Sequence, residues 1–296
     1  MRSRLRARGV LAVAALALVL AAVALLVAHR GLATDAPLAA GDGKGHYAQP
    51  RKVAEQSAER MKEAVREGGQ RPLGAPQAAA ATEDGAAAEA DPSPAVGPLF
   101  YTAQDEPVHG CTASVVHSAA GDLVVTAAHC VYMDGFRTDL AFVPGYDRGA
   151  APYGVWVPRS IDVAPEWTED RDPDYDVAFL RMEPAEGAGS LERATGAARI
   201  RFDPPARGPA RVVGYPNDGE RPVACRGTTQ AEGATQLRFD CEGLLNGTSG
   251  SPFLADDGAT LVGVLGGKDE GGDEETSYSP YFGDTVARLY RRATDG

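Results

Sequence analysis

Short apolar runs separated by turn residues dominate the chain after residue 95. The runs are rich in valine, leucine and aromatic side chains, as is typical of β-strands, and turn signals such as Asn217-Asp218-Gly219 separate them. This pattern predicts an all-β fold of sandwich or barrel type. A single clear helix is predicted after the strands, where Asp284 can cap residues 285–292. The predicted strands lie at 99–101, 113–116, 123–126, 140–143, 155–157, 177–181, 211–214, 237–239 and 261–265.

The first 30 residues combine positive charge with a long apolar run. Four arginines within residues 2–8 precede residues 10–28, a run of 19 residues without a charged side chain. Such a run can span a bilayer, and the arginines favour a cytoplasmic N-terminus. A cleaved secretory signal fits the same pattern, because residues 31–33 are small enough for a cleavage site. Residues 1–30 are therefore predicted to be a signal peptide or a signal anchor, and the rest of the chain is predicted to be exported.

Residues 31–95 are rich in alanine, glycine and proline and poor in aromatic side chains. A segment of this composition buries too little apolar surface to offset its ordering entropy, which predicts a linker or pro-segment. One helix is predicted within it, over residues 50–67, with a narrow apolar stripe that includes Val53 and Met61. We expect this helix to lie in solvent, with an inhibitory or membrane-surface role as the alternative. The globular domain is predicted to occupy residues 96–296.

The cysteines and the net charge narrow the class of protein. All four cysteines lie in the part of the chain that is predicted to be exported, and disulfides persist outside the cytoplasm. Their spacings do not resemble the CxxC pairs of zinc sites. Two disulfides are therefore predicted, in one of three possible connectivities. The net charge is −12, which disfavours nucleic-acid binding because phosphate backbones require basic surfaces. We expect no metal, no cofactor, a monomeric state, and membrane contact only through the N-terminal segment.

A serine between two glycines marks the loop 246–252, Asn-Gly-Thr-Ser-Gly-Ser-Pro. Gly247 and Gly250 allow the backbone to turn sharply, which would expose the hydroxyl of Ser249. The N–H groups of Gly247 and Ser249 would then be free to bind an oxyanion. On this loop alone, an ordinary turn between strands is an equally good interpretation.

A nucleophilic serine needs a neighbouring base, and a histidine base needs a carboxylate to orient it. Among the five histidines, His129 has the most informative context, because it follows the apolar strand 123–126 in a tight turn beside Cys130. His109 and His117 have no such context. We therefore assign the base to His129.

Three aspartates compete for the carboxylate role. Asp176 directly precedes the apolar run 177–180, so it can be buried at the start of a strand, whereas Asp172 and Asp174 belong to a polar loop. Asp176 is therefore the predicted partner of the histidine.

Three blocks of the chain resemble, in this order, the motif blocks of chymotrypsin-like serine peptidases. They are 123–130 (Leu-Val-Val-Thr-Ala-Ala-His-Cys), 176–180 (Asp-Val-Ala-Phe-Leu) and 247–252 (Gly-Thr-Ser-Gly-Ser-Pro). Residues 142–154 and 214–216 narrow the resemblance to the secreted bacterial trypsin-like and glutamyl-endopeptidase-like branch. The order His, Asp, Ser also argues against an α/β-hydrolase, in which the serine comes first and helices alternate with strands.

The resemblance covers residues 97–292 and implies two six-stranded antiparallel β-barrels with the active site between them. It implies that His129 and Asp176 come from the first barrel and Ser249 from the second. It also implies two disulfides, which pair Cys111 with Cys130 and Cys225 with Cys241.

Two departures limit what the resemblance implies. Thr248 stands where animal trypsin-like enzymes have an aspartate that pairs with a freed N-terminus, so activation by that ion pair is not expected. The implied substrate-binding residues are Leu244, Leu265, Gly266 and Gly267. The two leucines stand where glutamyl-specific relatives have a hydroxyl residue and a histidine, which argues against a preference for glutamate.

These observations predict an exported serine endopeptidase that acts on peptide or protein substrates. The protein is expected to be secreted or anchored on the extracytoplasmic face of the membrane. The alternative is a non-catalytic binding or scaffold protein with the same fold at the cell surface.

Overall fold

The computed structural model describes residues 38–67, 85–103, 106–244, 246–255 and 258–295, all within the unit Pro37–Gly296. In these ranges the helices are α1 (Arg51–Ala64), α2 (Pro165–Asp170), α3 (Leu191–Thr195) and α4 (Asp284–Asp295), and 3₁₀ turns occupy Ala128–Cys130, Pro173–Tyr175 and Lys268–Gly271. The strands are β1 (Leu38–Ala39), β2 (His46–Ala48), β3 (Arg66–Glu67), β4 (Ala88–Glu89), β5 (Val96–Ala103), β6 (Glu106–Val116), β7 (Leu123–Thr126), β8 (Phe136–Arg137), β9 (Ala141–Phe142), β10 (Ala150–Ala151), β11 (Trp156–Val163), β12 (Ala178–Pro184), β13 (Arg199–Ile200), β14 (Gly208–Gly214), β15 (Val223–Glu232), β16 (Gln236–Asp240), β17 (Pro252–Ala255), β18 (Thr260–Val264) and β19 (Thr276–Pro280).

The first barrel is a closed sheet in which every neighbouring pair is antiparallel. Its strand order is β12-β7-β6-β5-β9-β11, and pairing between β11 and β12 closes the ring. Apolar side chains from these strands fill the interior, among them Leu99, Val124, Phe142, Ile161 and Leu180. Burial of these side chains, at about 1.5–3 kcal/mol each, is the main force that holds the barrel together.

The second barrel follows the antiparallel order β18-β17-β14-β15-β16-β19. The N–H of Gly266, just after β18, donates to the carbonyl of Tyr278 on β19 at 3.0 Å, so the two ends of the sheet meet. Val212, Phe239 and Phe253 are fully buried inside. The prediction of two six-stranded barrels with a C-terminal helix is confirmed, with the second barrel less completely closed than the first.

Residues 38–64, here called the N-terminal arm, lie against the first barrel. Strand β2 extends the barrel by pairing with β11, and β1 pairs with β8. Helix α1 confirms the predicted helix, but the expectation that it lies in solvent is wrong, because Ala54, Ala58 and Met61 are each at most 4% exposed. The buried face is made of three small residues, Ala54, Ser57 and Ala58, together with Met61. Small side chains let the helix approach the barrel closely, and such a face does not form a conspicuous hydrophobic stripe in the sequence.

Residues 85–95, also inside the predicted linker or pro-segment, run along the second barrel. Strand β4 pairs with β15, with Glu89 opposite Val223. The N–H of Ala87 donates to the carbonyl of Glu242 at 2.8 Å. The described residues of this segment are therefore packed on the barrels.

Arg292 of α4 joins the C-terminal helix to the first barrel and to the arm. Its Nε donates to Oδ1 of Asp162, which is only 2% exposed, at 2.9 Å. Its terminal nitrogens donate to the backbone carbonyls of Lys44, Gly45 and Val163 at 2.6–3.1 Å. One guanidinium thus satisfies a buried carboxylate and three carbonyls from two distant parts of the chain.

The predicted signal peptide or anchor, residues 1–30, lies outside the described residues. Among the residues that the structure does describe, no helix has both the length and the hydrophobicity to cross a membrane.

Candidate active site

Three loops carry the predicted catalytic side chains. His129 lies in the 3₁₀ turn Ala128–Cys130 that follows β7, and Asp176 lies just after the turn Pro173–Tyr175, before β12. Strands β7 and β12 are neighbours, with Thr126 opposite Ala178, so the two loops emerge side by side from the first barrel. Ser249 lies in the loop before β17 of the second barrel.

Asp176 and His129 are directly bonded. Oδ2 of Asp176 is 2.7 Å from Nδ1 of His129, and Oδ1 accepts the backbone N–H of His129 at 2.9 Å. The N–H of Gly267, from the second barrel, also donates to Oδ2 at 2.8 Å. Asp176 is fully buried. A carboxylate held by three donors fixes the orientation of the ring and places its proton on Nδ1, so Nε2 faces away as the acceptor.

The electrostatic surroundings make His129 a stronger base than an ordinary histidine. Burial opposes the charged imidazolium, but the negative charge of Asp176 and its hydrogen bond outweigh burial, and Glu270 contributes a further attraction. Together they raise the pKa of His129 above its ordinary value of 6.5. Nε2 has no hydrogen-bond partner among the described residues, so it is available to take a proton.

The competing aspartates have other roles. Asp172 accepts the N–H of Asp174 and caps the turn that leads to Asp176. Oδ1 of Asp174 accepts from Nε2 of Gln236 at 2.7 Å. The carboxylate that is hydrogen-bonded to the ring of His129 is that of Asp176.

Gln236 links the aspartate loop to the second barrel. Its Nε2 also donates to the carbonyl of Pro173 at 3.1 Å, and its Oε1 accepts the N–H of Lys268 at 3.3 Å. A Cβ on Gly267 would lie 2.3 Å from this oxygen, so the glutamine occupies the space that a side chain at Gly267 would need. No local pattern in the sequence marks Gln236 as part of the site.

The serine loop is anchored on the first barrel. The N–H of Thr112 on β6 donates to the carbonyl of Ser249 at 2.7 Å. Gly250 has φ +81°, and a Cβ there would lie 2.1 Å from Oγ1 of Thr126 and 3.1 Å from the N of Ala127, two residues before His129. Only glycine permits this approach, which brings the serine loop against the histidine turn.

The disulfide between Cys111 and Cys130 reinforces this arrangement, because Cys111 precedes Thr112 and Cys130 follows the histidine. The second disulfide joins Cys225 to Cys241. Both pairings are those that the family resemblance implied. The hydroxyl of Ser249 makes no hydrogen bond to His129 within the described residues, which is common in ligand-free enzymes.

Two peptide groups in the serine loop have their carbonyls bonded and their N–H groups open. The carbonyl of Asn246 accepts from the N–H of Asn217 at 2.8 Å, and the carbonyl of Thr248 accepts from the N–H of Ser251 at 3.0 Å. In a trans peptide the N–H points opposite to the C=O. The N–H groups of Gly247 and Ser249 therefore point away from these supports, and neither donates to any group in the described part of the chain.

The implied substrate-binding residues have other contacts. Leu244 and Leu265 are at most 5% exposed and pack in the core of the second barrel. The N–H groups of Gly266 and Gly267 donate to Tyr278 and Asp176, so neither is open to a substrate strand. The sequence did not anticipate these bonds.

Cys111, His129 and Cys130 are close enough together for their side chains to surround an ion. Both sulfurs belong to the disulfide, however, so they are not thiolates and are poor metal ligands. This cluster is better explained as the support of the histidine turn.

The two barrels, with the His129–Asp176 pair on loops of the first, form the arrangement that is characteristic of the chymotrypsin-type serine protease fold. Residues 111–264, just over half of the chain, match the trypsin-like peptidase domain. The chain therefore belongs to the trypsin-like peptidase family.

Solved structures agree with this assignment. The protease Anisep from Arthrobacter nicotinovorans is 25% identical, with a TM-score of 0.64 over 71% of this chain and all of its own. The thermostable serine protease AL20 from an extremophilic microorganism is 27% identical, with a TM-score of 0.62 over 69% of this chain and 98% of its own. A Glu endopeptidase, 18% identical, shares the fold with a TM-score of 0.57 over 73% of this chain and all of its own.

One curated relative matches over a shorter region. An extracellular metalloprotease of Bacillus subtilis (strain 168) is 31% identical over 81 residues, or 27% of this chain. The matched region spans a quarter of the length of that relative.

Proposed function

We propose that the chain is an exported serine endopeptidase with the triad His129, Asp176 and Ser249. The observation that carries the proposal is the bonded His129–Asp176 pair, with the Ser249 loop fixed against the histidine turn. A serine hydroxyl is a weak nucleophile, so an oriented base beside it is the feature that distinguishes an enzyme from a bare fold.

In the proposed reaction, Nε2 of His129 takes the proton of the Ser249 hydroxyl as the oxygen attacks the scissile carbonyl. The N–H groups of Gly247 and Ser249 hold the resulting oxyanion. Asp176 stabilises the imidazolium, which then donates its proton to the leaving amine. Water hydrolyses the acyl-enzyme by the same steps. The chain itself provides all of these groups.

Substrate selection is proposed from the cleft residues. The carbonyl of Gly266 accepts no hydrogen bond among the described residues, so it can accept a main-chain N–H of the substrate. Lys268, the nearby cation, pairs with Glu232 at 2.6 Å and lies over the ring of Tyr278. The positive charge of Lys268 is therefore already balanced by the carboxylate of Glu232. With Leu244 and Leu265 apolar, we propose that the enzyme does not prefer glutamate.

Export is proposed from the arginine-flanked apolar segment and the two disulfides, which persist in oxidising compartments. The extracellular relative supports the same location.

Labelling by a fluorophosphonate probe tests the proposal, because the probe reacts only with an activated serine. We expect the full chain to be labelled, Ser249→Ala and His129→Ala to lose labelling, and Ser93→Ala, a matched serine outside the cleft, to retain it. Internal fragments of an unfolded protein substrate, detected by mass spectrometry, would identify an endopeptidase. A folded chain that neither reacts nor cleaves would favour the alternative of a non-catalytic binding protein.

A further inference from the structure

Thr112 is fully buried on β6 of the first barrel, and the proposed reaction does not use it. Its backbone N–H donates to the carbonyl of Ser249, and its backbone carbonyl accepts the hydroxyl of Thr126 at 2.8 Å. Its own hydroxyl makes two further bonds. It donates to the carbonyl of Gly247 at 3.1 Å and accepts the N–H of Tyr215 at 2.8 Å.

One bond of this hydroxyl reaches the proposed oxyanion loop itself, and the other reaches residues 215–217, the segment after β14 that supports the loop. The carbonyl of Gly247 belongs to the peptide group between the two proposed oxyanion donors. Tyr215 begins the segment in which Asn217, two residues later, holds the carbonyl of Asn246. The N–H of Gly247 belongs to the same peptide group as the carbonyl of Asn246. By holding Tyr215, the hydroxyl of Thr112 therefore supports the direction of this N–H group.

We infer that Thr112 is a positioning residue whose hydroxyl keeps the N–H groups of Gly247 and Ser249 aimed at the oxyanion. The inference rests on the proposed function. Oxyanion donors are effective because they are oriented before the reaction begins. Without the hydroxyl, the buried carbonyl of Gly247 and the N–H of Tyr215 would each lose a partner. The loop would then relax toward other bonds for these groups.

Three variants at this position separate the hydroxyl from the volume of the side chain. Thr112→Val keeps the shape and removes the hydroxyl, while Thr112→Ser and Thr112→Ala differ from each other essentially by the hydroxyl alone. We expect Thr112→Val and Thr112→Ala to lower kcat by about 10- to 100-fold, a part of the effect of deleting one oxyanion donor. KM should change little, because the oxyanion forms only in the transition state. Thr112→Ser should restore most of the lost kcat.

A peptide aldehyde provides a second readout, because its tetrahedral adduct places an oxygen at the oxyanion position. Its inhibition constant should rise in parallel with the fall in kcat. Thr229→Val is the matched control: this buried threonine on β15 also donates its hydroxyl to a carbonyl, that of Gly208 at 3.1 Å. We expect its kinetics to match those of the parent.

Each outcome decides the inference. A parent enzyme that is active while Thr112→Val keeps its kcat would overturn the positioning role and leave the proposed function intact. Equal losses in Thr112→Ser and Thr112→Ala would assign the effect to packing instead, and this comparison remains available if the valine variant does not fold. A parent that neither labels nor cleaves would overturn the proposed function and this inference together.

Discussion

Replacing Asp176 with asparagine tests the mechanism most directly, because both oxygens of Asp176 accept hydrogen bonds. Oδ1 accepts a hydrogen bond from the backbone N–H of His129. Oδ2 accepts hydrogen bonds from Nδ1 of His129 and from the N–H of Gly267. The new side chain has one oxygen and one NH₂ group, so in either orientation the NH₂ group faces a backbone N–H. At least one buried donor loses its partner, which costs about 1–3 kcal/mol of stability.

The same substitution damages the base in either orientation. If the NH₂ group faces Nδ1, the ring must carry its proton on Nε2 and cannot accept the proton of Ser249. If the oxygen faces Nδ1, the tautomer is correct but no negative charge stabilises the imidazolium. We expect Asp176→Asn to lower kcat by about 10⁴-fold, the size of effect associated with the wrong tautomer.

The pH dependence provides a separate test. In the parent, Asp176 raises the pKa of His129 above 6.5, so the acid limb of kcat/KM should have its midpoint above pH 6.5. Removing the carboxylate leaves burial as the main influence, which lowers the pKa of His129. The acid limb of the residual activity should therefore move to lower pH.

Stability should follow the same linkage. A raised pKa means that the protonated form of His129 stabilises the fold. This contribution is fully present below pH 6.5, the unfolded value, and is lost as the pH rises through the folded pKa. The free energy of unfolding should therefore differ more between parent and variant in acid than in alkaline solution.

Active-site-titrated kinetics with a peptide amide and denaturant unfolding at several pH values would measure these effects. Asp170→Asn, an exposed aspartate on α2, is the matched control. A kcat within tenfold of the parent, or an acid limb that moves to higher pH, would refute the assignment of Asp176.

Three further substitutions test other parts of the structure. Gln236→Leu breaks the link between the aspartate loop and Lys268, so we expect kcat/KM to fall roughly tenfold, which corresponds to about 1.4 kcal/mol of transition-state stabilisation. Arg292→Met removes the guanidinium from the buried carboxylate of Asp162, which keeps the ring of His46 at 3.0 Å, and this should lower the free energy of unfolding in denaturant titrations by on the order of 2–3 kcal/mol. Gly250→Ala must place a Cβ 2.1 Å from Oγ1 of Thr126 at φ +81°. Labelling should be lost and the unfolding free energy should fall by more than the 1–2 kcal/mol of the left-handed conformation alone.

Matched variants give each of these tests a reference. Gln230→Leu changes an exposed glutamine on β15, and Arg291→Met changes an exposed arginine next to Arg292. Gly233→Ala has φ +62° but no atom within 4 Å of the new Cβ. If any test variant behaves like its reference, the corresponding contact does not contribute as proposed.

The parts of the fold that were predictable are those with a local signal. The alternation of apolar runs and turns indicated an all-β fold, because each strand buries its own apolar residues, whereas the two six-stranded barrels were implied by the family resemblance. Asp176 was separable from Asp172 and Asp174 because an apolar strand follows it directly, and the structure has Asp176 on His129.

The parts that were missed depend on contacts between distant segments. Thr112 and Gln236 have no periodic or compositional signal, and their roles arise from bonds to distant residues, among them Gly247, 135 positions from Thr112, and Asp174, 62 positions from Gln236. The packing of α1 was missed because alanine contributes little to a hydrophobic stripe, although it allows the closest approach to the barrel. The position of Thr112 directly after Cys111 was the one available clue.

The bonds of Arg292 also set the order in which the fold can be completed. Arg292 and Lys44 are separated by 248 positions, so the ribosome makes the arm long before its guanidinium partner exists. Closing so long a loop costs conformational entropy before its contacts can stabilise the chain, so contacts of this kind form late in folding. Before α4 is made, strand β2 can already pair with β11, but the carbonyls of Lys44 and Gly45 and the buried carboxylate of Asp162 lack their guanidinium partner. We therefore expect the docking of the arm to be completed in the final step of folding, and a chain truncated before residue 292 to expose the arm to proteases.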